Sequence, residues 1–134
     1  MLGTIVSLSF CLVLAVAQVV HLIQDMLFTS KLREVAKQTG VTVQGTRDPA
    51  ALAAAAREAK LVIVDLRLPR ALEALDALAA DPATRDLRKI GFIDHEKTDV
   101  MDAARARGCT EVMAKGQFAN ALPKLLAGLG GGAG

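Results

Sequence analysis

The sequence predicts an α/β domain: a five-stranded parallel sheet in the order 2-1-3-4-5, helices on both faces, and an extra apolar segment at the N-terminus. Three observations lead there. Short apolar runs rich in β-branched residues alternate with segments of helical period along most of the chain. The run Leu61-Val62-Ile63-Val64 is apolar at every position, which suits a strand covered on both faces, as the strands of a parallel sheet are. Finally, 134 residues are enough for one domain to bury a core without disulfide or metal staples.

The elements follow in order. Residues 2–23 contain no Lys, Arg, Asp or Glu, which on length alone marks a membrane-spanning candidate. The stretch 19–24 also reads as the first strand, and if the sheet takes it about 17 residues remain, a marginal span. Ala15-Val16-Ala17 resembles a signal cleavage site, but no basic residue precedes the apolar run. Residues 1–18 are therefore set apart as an apolar extension. An anchor, a buried element and an extension from an early start codon all stay open, and the last two together are preferred.

From Met26 the period becomes helical, with Leu27, Phe28, Leu32, Val35 and Ala36 on one side, and Gly40 closes the helix. A second strand is read over 41–44. Asp48-Pro49 opens a helix to residue 59, Asp as N-cap and Pro in the first turn, and its alanines are strong helix formers. The central strand 61–64 ends in Asp65, a helix over 70–80 stops at Asp81-Pro82, and the fourth strand, 90–93, ends at Asp94-His95. Thr98 or Asp99 caps the next helix, which Gly108 closes. The fifth strand is 111–114, Lys115 follows, and the last helix carries Leu122, Leu125 and Leu126. The folded domain is thus 19–127, and the glycine-rich 128–134 a flexible tail.

Composition narrows the functions. A net charge of +2 with both signs interspersed offers no field for nucleic acid, and 3% aromatics leave little for stacking bases, flavins or sugars. Cys11 and Cys109 lack metal-ligand or CxxC spacing and read as reduced thiols of a cytoplasmic protein. His21 reads as a satisfied core or sheet residue, and His95 as a loop residue at the rim.

Three charged residues fall at the carboxyl ends of three strands: Asp25 after the first, Asp65 after the third, Lys115 after the fifth. In the order 2-1-3-4-5, strands one and three are neighbours at the switch point, where ligands of open α/β sheets gather. The two carboxylates would face each other and repel unless a cation sits between them, for which Mg²⁺ is the natural occupant. Lys115 could pair with Asp65 or with an anion built on it. The bland readings are that Asp65 only caps a turn, Asp25 only caps a helix, and Lys115 is a solvated surface residue.

This pattern resembles the receiver domain of two-component response regulators, a flavodoxin-like fold. The resemblance runs from about Val19 to Leu126 and includes Asp65 followed at the fourth position by Pro69. It implies that Asp65 accepts a phosphoryl group, that Asp25, Asp65 and the backbone carbonyl of Arg67 hold Mg²⁺, and that Lys115 contacts the phosphoryl oxygens. It implies a histidine kinase or phosphotransfer protein as donor, and an effector protein or a second copy as the output partner. The chain would be a phosphoryl acceptor that at most dephosphorylates itself, not an enzyme.

The departures are specific. The family's two adjacent acids are here Gln24-Asp25, so Mg²⁺ should bind weakly. The hydroxyl at the end of strand four is replaced by Ile93 or Asp94, the strand-five aromatic by Val112, and the proline after the lysine by Gly116. The alternative is therefore a pseudo-receiver, a protein-interaction module that keeps the fold without phosphotransfer. A nucleotide- or flavin-binding enzyme is disfavoured, because the turn from Asp25 to Ser30 has no glycine to cradle phosphates. A paired-aspartate phosphatase would need an acid where Arg67 stands.

Overall fold

The computed structural model describes residues 17–130. The first sixteen residues of the apolar extension, Cys11 among them, and residues 131–134 lie outside the described residues.

Five parallel strands form one sheet in the order β2-β1-β3-β4-β5. They are β1 (Val19–Leu22), β2 (Val43–Gly45), β3 (Leu61–Asp65), β4 (Arg88–Ile93) and β5 (Glu111–Ala114). Between and after them run α1 (Met26–Thr39), α2 (Pro49–Ala56), α3 (Ala71–Ala80), α4 (Thr98–Ala106) and α5 (Lys115–Gly130). The predicted class and strand order are those observed.

Strand alternation divides the core in two. Val20, Leu22, Val62 and Val64 point to one face, where Leu52, Leu75, Leu78 and Ala104 of α2, α3 and α4 cover them. Val19, Leu61, Ile63, Ile90 and Phe92 point to the other, under Leu32 and Val35 of α1 and Phe118, Leu122 and Leu126 of α5. The all-apolar run of β3 is thereby explained: its residues serve both cores in turn, and all five are buried.

Local signals place the ends. Gly40 takes φ +74°, and its N–H bonds the Ala36 carbonyl as a left-handed C-cap does. Asp48 accepts from Ala51 N with Pro49 in the first turn. Several boundaries moved: β1 ends at Leu22 instead of residue 24, α3 starts at Ala71, and Lys97 takes the cap position of α4 in place of Thr98 or Asp99. Strand β2 starts at Val43 rather than at residue 41, because Val41 N still bonds Ala36 O as part of the helix cap. Helix α2 ends at Ala56, where a bond from Ala59 N to Ala56 O turns the chain towards β3. Strand β4 begins at Arg88, since Arg88 and Lys89 pair with Leu61 and Val62 despite their charge. Helix α5 begins at Lys115 itself and runs to Gly130, three residues beyond the expected end of the domain at 127. Helix α4 starts at Thr98 after Lys97, which caps it without a side-chain bond. No helix among the described residues is long and apolar enough to cross a membrane.

His21 departs from expectation. It is buried in β1 opposite Gly45, yet neither ring nitrogen has a hydrogen-bond partner among the described residues. A Cβ at position 45 would come within 2.9 Å of the imidazole, so glycine makes room for the ring. Burial, assisted by the nearby Arg33 charge, lowers the His21 pKa from 6.5 to about 4. Above pH 6.5 the ring is neutral in folded and unfolded chains and its contribution to stability is complete. Between pH 6.5 and about 4 only the unfolded chain takes the proton, so stability falls by up to roughly 1.4 kcal/mol per pH unit and then levels off. Urea unfolding at pH 7.5 and pH 5 should show this loss, and His21→Leu should remove it; equal pH dependence in both proteins would contradict the assignment.

Candidate functional site

The carboxyl ends of β1 and β3 lie side by side, because the two strands pair from Val19↔Leu61 to Leu22↔Val64. Three residues beyond β1, Asp25 caps α1. Its Oδ1 accepts from Leu27 N at 2.8 Å and from Phe28 N at 3.3 Å, as an N-cap carboxylate does. Asp65 is the last residue of β3 and is buried to 1% exposure.

After Asp65 the chain makes a side-chain-supported turn. Arg67 N donates to Asp65 Oδ1 at 3.1 Å, and Leu68 N donates to the Asp65 carbonyl at 3.2 Å. This turn starts the Arg67 side chain at the carboxylate, and the guanidinium folds back onto it. Nε donates to Asp65 Oδ1 at 2.9 Å and Nη2 to Asp65 Oδ2 at 2.8 Å, a bidentate charge-assisted pair. The same Nη2 reaches Asp25 Oδ2 at 3.3 Å. One arginine thus spans the two carboxylates that strand order brings together. They line an open pocket of about 280 Å³ with Gln24 and Leu68.

The electrostatics follow the contacts. The Phe28 N–H, with help from Leu27 N–H and Arg67, holds the Asp25 carboxyl below its ordinary value. Arg67 is pushed above its ordinary value, first by its hydrogen bond to Asp65 and then by that carboxylate's charge and by Asp25.

Lys115 is not among the residues that line this pocket. As the first residue of α5, it places Nζ 5.7 Å from the centroid of the Phe28 ring, and it makes no ion pair among the described residues. Phe28 in turn lies 4.9 Å from Phe92, which stacks on Phe118 at 4.6 Å and 5°. The cation paired with Asp65 is Arg67, expected only to lend its backbone carbonyl to a metal. At the end of β4, Ile93 is buried and Asp94 exposed, so no hydroxyl faces the pocket from those two positions. Asp94, Lys97 and Asp99 line a neighbouring pocket whose shared wall is Arg67. Val112 is half-buried and His95 exposed.

The residues as arranged do not fit a divalent ion. Both oxygens of Asp25 and both of Asp65 already accept from N–H donors. Mg²⁺ needs lone pairs directed at a small octahedron, and here Asp25 Oδ1 faces two backbone N–H groups while Asp25 Oδ2 and both Asp65 oxygens face a guanidinium.

Solved structures share this fold. The chemotaxis response regulator CheY4 of Vibrio cholerae superposes with a TM-score of 0.69 at 17% identity, over 84% of this chain and 97% of that one. A response regulator receiver domain from Rhodospirillum rubrum gives 0.63 at 17% identity, over 81% and 91%. The receiver domain of a sensor histidine kinase from Pseudomonas aeruginosa, with a magnesium ion coordinated in its active site cleft, gives 0.64 at 18% identity, over 82% and 94%. The fold is therefore that of response regulator receiver domains. No family model and no curated protein sequence matches the chain.

Proposed function

We propose that the chain is a receiver-fold signalling module that acts by binding a partner protein, without phosphoryl transfer through Asp65. One observation carries this reading: the Asp65 carboxylate is buried and bonded on both oxygens by Arg67. A nucleophile needs an exposed lone pair in line with phosphorus. Asp94 at the rim would add repulsion where a hydroxyl would donate. The partner is an effector protein or a second copy of the chain. Helix α4, which packs on the core through Ala104, Val100 and Met101, offers its opposite, exposed side to it. The setting is cytoplasmic, in keeping with the free, buried thiol of Cys109. No metal ion has a part in this reading.

Acetyl phosphate with Mg²⁺, followed by intact mass measurement, should leave the folded protein unmodified. An adduct on wild type that disappears in Asp65→Asn would overturn the reading. Such a result would favour phosphoryl acceptance at Asp65 from a histidine kinase or phosphotransfer protein. The observation on that side is Lys115, whose ammonium makes no ion pair among the described residues and is available to an anion.

A further inference from the structure

We infer that Arg67 is the resident cation of this pocket: its guanidinium does what a divalent metal would do between Asp25 and Asp65, and the two cations exclude each other. The charge argument comes first. Two carboxylates brought together at adjacent strand ends need a positive partner, and Arg67 supplies it with bonds of 2.8 and 2.9 Å to Asp65 and 3.3 Å to Asp25. Arginine stays protonated at every pH the fold survives, so this cation cannot leave by titration.

Tethering makes the occupancy persistent. Arg67 lies two residues from Asp65, and its own backbone N–H is bonded to Asp65 Oδ1, so the side chain departs from the carboxylate it binds. A metal arriving from solution must break the fork, shed part of its own water shell and then remain beside a displaced positive charge. The remaining oxygen of Asp25 gives no relief, since Oδ1 is committed to the two N–H groups that open α1.

Exclusion has a positive consequence: removing the guanidinium should expose a carboxylate pair able to take an ion. The test uses the whole chain as wild type, Arg67→Ala and Arg67→Gln, the last keeping a neutral donor near Asp65 in case the alanine variant fails to fold. Each is titrated with MgCl₂ while the amides of residues 24–28 and 65–68 are followed by NMR, and with Mn²⁺ for paramagnetic broadening at the same amides. Wild type should show no saturable response, and the variants should bind at least about tenfold more tightly. Wild-type affinity equal to that of the variants would overturn the inference. So would absence of binding in all three proteins, because the guanidinium would then not be what keeps the ion out.

The inference shares the pocket with the proposed function but not its fate. Wild type that ignores Mg²⁺ yet takes a phosphoryl group would refute the function and leave the resident cation standing. Wild type that binds Mg²⁺ as tightly as the variants yet stays unmodified would do the reverse.

Discussion

Arg67→Ala should lower the stability of the fold by about 3 kcal/mol, and Asp65→Asn in the same chain should restore most of it. The size comes from asymmetry of burial. Asp65 is 1% exposed, whereas the Arg67 side chain is 30% exposed. Removing the arginine strands a buried carboxylate with little beyond the Arg67 backbone N–H, and breaking a buried pair in this way typically costs about 3–5 kcal/mol. Water entering from the rim, where the guanidinium now sits, brings the cost to the lower end. Asp65→Asn alone should cost only about 1 kcal/mol, because the freed guanidinium is near solvent and keeps Asp25 at 3.3 Å. Urea titrations of the two single variants and the double variant complete a thermodynamic cycle. A loss below about 1 kcal/mol for Arg67→Ala, or no recovery in the double variant, would show that the clamp is not what stabilises Asp65.

The same pocket marks where the sequence could be read and where it could not. Backbone-scale features were legible because each rests on a local pattern. The apolar run 61–64 announces a strand covered on both faces, Asp48-Pro49 a helix start and Gly40 a helix end, and the alternation of elements implies a parallel sheet, whose order 2-1-3-4-5 sets Asp25 beside Asp65. Side-chain destinations were not legible. A long arginine two residues past a strand can point to solvent as easily as backwards, and only the turn bonded to Asp65 Oδ1 decides it. The need for a cation was readable; that the chain supplies its own was not. Lys115 looked like a partner for Asp65 because it follows the fifth strand, but α5 begins at that residue and sets its ammonium over Phe28. Arg88 and Lys89 hid the start of β4, since a buried lysine satisfied by the Arg85 carbonyl has no hydrophobic signature.

Phe92→Ala should be the most damaging single truncation near the site, at about 4 kcal/mol. Phe92 is fully buried on β4 and holds the other two rings of its cluster, Phe118 at 4.6 Å and Phe28 at 4.9 Å. Those rings belong to α5 and α1, whose first turns carry Lys115 and the Asp25 cap. An alanine there leaves a cavity beneath both helices, so the effect should reach the pocket. Phe28→Ala should cost less, about 2 kcal/mol, because that ring is only partly buried. The two losses rank the cluster by urea unfolding. Hydrogen exchange adds location: in Phe92→Ala, amides at 30–34 and 119–122, the first with intrahelical bonds in α1 and α5, should lose protection before those of β3, whose hydrogen bonds lie in the middle of the sheet. Uniform loss across all elements, or a smaller cost than Phe28→Ala, would mean that the helices bearing Asp25 and Lys115 do not depend on this ring for their seat.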